Sequence, residues 1–169
     1  MYQDILILLA PSLLVFVILI WLRALRAAPV DLSPKLPQNA IVVDGSNVLY
    51  WNQEPSSLVL LHVLRELKEK GYVPIVFFDA NVGYILDDHY YDEAKIAWLI
   101  GIPAWQVCVV DRGVVADEGI LALATDHCLR IVTNDQYRDW RVKFPHAAKK
   151  GTLVGGQWRE GSVKWRGTL

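Results

Sequence analysis

Three short runs of β-branched and aromatic residues, each closed by an aspartate, constrain this chain more than any other feature. Ile41-Val42-Val43 leads into Asp44, Ile75-Val76-Phe77-Phe78 into Asp79, and Ile131-Val132-Thr133-Asn134 into Asp135. Runs of this kind, with helical patterns between them, read as buried strands of a mainly parallel sheet flanked by helices. The ligand crevice of such a sheet lies at the carboxyl ends of its strands, so the acids converge there. Converging carboxylates repel one another unless a cation lies between them, and hard oxygen ligands favour Mg²⁺ or Mn²⁺. The pattern points to metal-assisted phosphoryl chemistry.

The elements follow in order. A first strand is expected over Ala40 to Val43 and a helix over Ser57 to Lys70, with Leu60, Leu61, Leu64 and Leu67 as its apolar stripe and Gly71 as its stop. His62 in that helix reads as a packing or surface residue. A strand over Val73 to Phe78 precedes a helix from Asp87 to Ile100, where Asp87 and Asp88 would cap the start and Gly101 and Pro103 the end. A strand over Gln106 to Val110, a helix from Ala116 to His127, a strand over Leu129 to Thr133 and a short helix after Asp135 complete the alternation. Thr152 to Val154 and Val163 to Trp165 are expected to form a hairpin or edge strands.

The amino-terminal segment differs in kind. Hydrophobic residues make up 53% of the 169-residue chain, and much of the excess lies in the first 22. Residues 5–22 carry no charge and as a helix would span roughly 27 Å, close to a bilayer's hydrocarbon core. A cleaved signal peptide needs positive charge before the apolar run. Here Arg23 and Arg26 follow it, which places the following domain in the cytoplasm. The expectation is a single-pass anchor in an inner or plasma membrane, with residues 1–26 as anchor and basic flank. Residues 27–39, with Pro29, Pro34 and Pro37, form a linker, and 40–169 the domain. Cys108 and Cys128 are read as packing residues, since two cysteines make no disulfide framework in a chain this long.

Asp44-Gly45-Ser46-Asn47 follows the first strand directly. Gly45 allows a tight turn, and Ser46 and Asn47 can hydrogen-bond the carboxylate or a metal-bound water; a plain Asx turn is the competing account. Asp117 opens a helix, either as a favourable first-turn acid or as an acid aimed into the crevice. Asp135 and Asp139 would share one face of a helical turn, with Arg138 and Arg141 near enough to offset their repulsion. The motifs of a P-loop, a GxGxxG turn and a GxSxG elbow are absent, and the four histidines have no shared metal spacing.

Taken in order, IVVDGSN, ADEGILALA and IVTNDQYRDW resemble the NYN branch of the PIN-like ribonucleases, and most closely the Regnase-type nuclease domain found beside CCCH zinc fingers in animal proteins. The resemblance covers about residues 40–140. It implies a three-layer α/β sandwich with a mainly parallel central sheet, an acidic Mg²⁺ site and endonucleolytic cleavage of RNA. By that resemblance Asp44, Asp117 and Asp135 are the metal acids and Asp139 assists them; Ser46, Asn47, Asn134, Arg138 and Arg141 would hold the substrate. Such domains often pair, which implies a homodimer. One departure stands out: the family has adjacent aspartates at the helix start, whereas Ala116 precedes Asp117 here, leaving Glu118 or Asp79 to supply the missing carboxylate. The zinc finger is also lacking, so RNA targeting would come from elsewhere.

Residues 136–169 hold eight basic residues against two acids, interleaved with Trp140, Trp158 and Trp165. Cations track phosphates and aromatic faces stack unpaired bases, so single-stranded RNA is the expected partner. A basic tail lying on anionic lipid is the competing account. The leading expectation is thus a membrane-anchored, metal-dependent endoribonuclease. Its rival is an inactive PIN-like module that binds RNA or a protein at the membrane.

Overall fold

The chain is described here from a computed structural model covering residues 36–169. Its elements run β1 (Ala40–Asp44), α1 (Gly45–Leu49), α2 (Ser57–Glu69), β2 (Val73–Phe78), α3 (Val82–Asp87) and α4 (Glu93–Ile100), then β3 (Val107–Val109), α5 (Ala116–Asp126), β4 (Ile131–Val132), β5 (Leu153–Arg159) and β6 (Ser162–Arg166). Short 3₁₀ turns occupy Ala104–Gln106, Arg138–Trp140 and Pro145–Ala148.

β1 is buried at every position because parallel partners flank it, β2 on one side and β4 on the other. The six strands are ordered β3-β2-β1-β4-β5-β6, and only β5–β6 is antiparallel. Chain order reverses between β1 and β4, the place where such sheets open a crevice at their carboxyl ends. Alternate residues divide between two faces. Ile41, Val43, Val76, Phe78 and Val132 join a core with Val59, Leu60, Val63, Leu64 and Leu67 of α2. A fully buried aliphatic side chain of this kind contributes about 1.5–3 kcal/mol over an exposed one. Phe77 faces the other way, against α5, where Gly119 comes so close that a Cβ would stand 3.1 Å from its ring. Helices therefore cover both faces of a mainly parallel sheet, as the sequence implies.

The region between β2 and β3 departs from expectation. In place of one helix from Asp87 to Ile100 there are two, α3 and α4, joined by a loop. Asp87 ends α3, and Asp88 takes a left-handed conformation at φ 52° as its C-cap. Asp92 is the true N-cap, its side chain accepting from the Lys95 N–H. The cause is tertiary: Gly83 of α3 lies under the returning chain, where a Cβ would stand 2.2 Å from the His89 carbonyl oxygen. Cys128 is exposed rather than packed. The hairpin is longer than expected, and two of its tryptophans face inward. The Trp165 indole packs edge-on against Trp51 with ring centres 5.8 Å apart and donates to Glu66, while Trp158 lies edge-on to His62. Both remain partly exposed, so each ring serves the packing of the hairpin as well as its surface. The expected anchor over residues 5–22 lies outside the described residues. Among the described residues, no helix is long and apolar enough to cross a membrane.

Gly156 is where β5 meets this cluster: a Cβ there would stand 2.2 Å from the buried Trp51 ring. Gly156→Ala is expected to destabilise the domain by about 1–3 kcal/mol, the usual cost of overpacking. Urea denaturation reads this directly, and a midpoint unchanged from wild type would refute the packing described.

Candidate active site

The crevice between β1 and β4 is built around one buried carboxylate. Asp44 is 7% exposed and serves as N-cap of α1. Its Oδ1 accepts from the Asn47 N–H at 3.0 Å. Its Oδ2 accepts from the Thr133 hydroxyl at 2.9 Å and the Tyr137 hydroxyl at 3.1 Å. Gly45 must follow it, since a Cβ there would meet the Phe78 ring at 2.4 Å and the Phe77 carbonyl oxygen at 2.8 Å.

Thr133 directly follows β4 and also accepts from the Asp135 N–H at 3.0 Å. Asp135 Oδ1 accepts from the Tyr137 N–H at 2.8 Å, which holds Tyr137 at φ 46°. A left-handed backbone is uncommon for a bulky residue, and here it aims the phenol inward at Asp44. Asp135 therefore lies in an irregular turn ahead of the 3₁₀ segment. Asp135 and Asp139 do not share a helical face as expected; Asp139 is exposed on the 3₁₀ turn.

Four acids, Asp44, Asp79, Asp117 and Asp135, line one open cavity of about 350 Å³ together with Ser46, Asn47 and Tyr50. Asp117 projects from the first turn of α5, where its position also suits the helix dipole. Of the two candidates for the absent neighbour at Ala116, Asp79 lines the cavity. Glu118 is paired with Lys143 instead. The ion pairs among the described residues are Arg65–Glu69 and Lys143–Glu118, so none of the four cavity acids is paired.

The electrostatics follow. Burial pushes the Asp44 carboxyl up to about 6; its hydrogen bonds to Asn47, Thr133 and Tyr137 pull the other way, and the charge of Asp117 adds to the rise. Asp117 is raised by burial and then by Asp135 and Asp79, against a lowering contribution from the Trp140 indole. Burial and the Asp44 charge push the Tyr137 phenol far upward, so it stays protonated and remains a donor.

Oxygen-only acids with no ion-pair partner among the described residues fit a hard divalent cation by donor chemistry. Among the described residues, no three acid, histidine or cysteine side chains stand close enough together to enclose one.

The remaining sequence-derived residues hold the frame. Ser46 Oγ accepts from the Asp79 N–H at 2.9 Å, joining the ends of β1 and β2. Asn47 Oδ1 accepts from the Asn134 N–H at 2.9 Å and the Trp51 indole at 3.0 Å. The Asn134 amide accepts from the Gly156 N–H at 3.0 Å and donates to its carbonyl at 2.9 Å, completing a backbone-like pair with β5. Arg138 is exposed, and so is Arg141, whose Nε donates to the Gln136 carbonyl. Sequence reasoning gave no role to Thr133 or Tyr137, although both lie within IVTNDQYRDW. A polar residue closing a buried strand, and a tyrosine inside the most distinctive motif, were the available signals.

No curated protein matches this chain in sequence. Two solved structures of Arabidopsis thaliana nuclear protein-only RNase P 2 share its fold, with TM-scores of 0.57 and 0.58 and identities of 21% and 20%. They cover 76% and 75% of this chain, which spans 29% of each of theirs, so the likeness concerns one part of those proteins and, at this identity, the fold alone. Residues 37–162 match the family described as the Zc3h12a-like ribonuclease NYN domain. With three quarters of its length inside that match and the acids gathered at the sheet's switch point, the chain belongs to the Zc3h12a-like NYN ribonuclease family.

Proposed function

We propose that this protein is a divalent-metal-dependent endoribonuclease that hydrolyses phosphodiester bonds of single-stranded RNA, leaving 5′-phosphate and 3′-hydroxyl ends. The observation that carries this reading is the cavity lined by Asp44, Asp79, Asp117 and Asp135, none of which is in an ion pair among the described residues. Family membership supplies the class of reaction.

Asp44, Asp117 and Asp135 would hold Mg²⁺ or Mn²⁺, with Asp79 as the fourth acid, and the bound ion supplies charge neutralisation at the scissile phosphate and an activated water. The chain's own residues prepare for that. Thr133, Tyr137 and the Asn47 N–H orient Asp44 and keep its charge tolerable in a buried position. The Trp140 indole is near enough to Asp117 to favour its charged form, and Lys143 stands over the Trp140 ring at 5.8 Å. Arg138, Arg141, Lys143, Lys149 and Lys150 are exposed and supply cationic contacts for a phosphate backbone. The apolar residues 5–22, followed by Arg23 and Arg26, support anchoring with the amino terminus outside and the nuclease domain in the cytoplasm.

The assignment is tested by incubating a single-stranded RNA with wild type, Asp117→Asn and Asp135→Asn in Mg²⁺, and with wild type in chelator. Cleavage is expected to fall on the order of 100-fold or more in each variant, since metal ligation contributes several kcal/mol to such reactions, and to vanish in chelator. Equal cleavage by all three proteins would reject these site residues. RNA bound by all and cleaved by none would favour a non-catalytic binding module.

The Asp44 carboxyl makes a separate, pH-dependent prediction. The unfolded chain releases this proton near 3.8 and the folded chain near about 6. Between those values the folded state binds more protons, so stability falls as pH rises; the contribution is complete below the lower value and lost above the upper one. A displacement of this size corresponds to about 3 kcal/mol at most. Chemical denaturation in chelator is expected to show wild type losing up to that amount relative to Asp44→Asn between about pH 4 and pH 7. A difference that does not change with pH would contradict the burial described.

A further inference from the structure

A second cavity, of about 700 Å³, opens beside the acidic one, between the loop that follows β2 and the end of β3. Asn81 lines both. Around the larger cavity stand Tyr84, Tyr90, Glu93, Asp111 and Arg112. Tyr84 is 56% and Tyr90 66% exposed, so two aromatic rings are offered to solvent beside the cleavage centre.

We propose that this cavity seats one unpaired base of the RNA, adjacent to the nucleotide held at the acids. The inference rests on reading the acidic cavity as the place of cleavage. Its chemistry selects a base over a phosphate. Two carboxylates, Glu93 and Asp111, face one guanidinium, Arg112, a balance that repels a bare phosphate. A nucleobase is neutral, has an apolar face for the tyrosine rings, and carries N–H groups whose hydrogens carboxylates accept and ring nitrogens or carbonyl oxygens to which Arg112 can donate. Stacking on aromatic side chains tolerates any base, so the cavity acts as a general grip that fixes the strand's register over the acids.

The test uses the full chain in chelator, so that RNA is retained, and an adenine octanucleotide carrying the fluorescent base 2-aminopurine at each position in turn. Wild type is expected to quench emission strongly at one position. Replacing both rings, Tyr84→Leu with Tyr90→Leu, should restore that emission and weaken binding about tenfold, the loss expected for an unstacked base. Trp98→Ala removes another ring, 73% exposed and outside both cavities, and should change neither. The proposal is overturned if no position is quenched, if the double variant behaves as wild type, or if Trp98→Ala has the same effect. Cleavage of the same oligonucleotide in Mg²⁺ is scored separately. Quenching without cleavage keeps the base site and rejects the nuclease reading; cleavage without quenching does the reverse.

Discussion

The buried Asp44 carboxylate is the interaction on which the rest of this structure depends. Removing a carboxylate from water costs several kcal/mol. Hydrogen bonds to a charged group return about 1.5–3 kcal/mol each, and Asp44 receives three. Burial outweighs them, and the Asp44 carboxyl is pushed above its ordinary range. The three donors come from α1, the end of β4 and the turn beyond it. One side chain therefore ties together segments about ninety residues apart.

Around it, side-chain amides do work that the backbone of so short a sheet cannot. β4 contributes only Ile131 and Val132 to its ladders. Beyond them, Asn134 pairs with Gly156 as a strand residue would, and Asn47 receives the Asn134 N–H. This extends the polar connection between β1, β4 and β5 to the rim where the acids lie. A buried polar network specifies one arrangement when every member is satisfied. The same asparagines that look like substrate contacts in a sequence thus also hold the crevice in shape.

Much of this was legible beforehand. The β2 strand was read with its observed bounds, because Val73 to Phe78 is continuously apolar and followed by Asp79. Asp44 and Asp135 end their runs where a parallel sheet puts its crevice, so their meeting followed from topology. The α3–α4 break was hidden because its cause is contact between Gly83 and residues 89–91, which no local propensity reports. Two short segments on either side of a Gly-rich stretch suggested a hairpin or edge strands, yet the inward turn of Trp158 and Trp165 is set by what packs beneath them, namely His62, Glu66 and Trp51. The role of Tyr137 depends on a left-handed backbone that a tyrosine does not advertise.

The borders of the sheet carry a consequence for assembly. One border is β3, three residues long. The other is β6, where Lys164 and Arg166 are exposed. Brevity and positive charge are both features that blunt edge-to-edge strand addition. Two copies meeting in solution would therefore find poor purchase at these two described edges for a continuous intermolecular sheet, leaving the acidic rim at the strand ends free of ladder contacts.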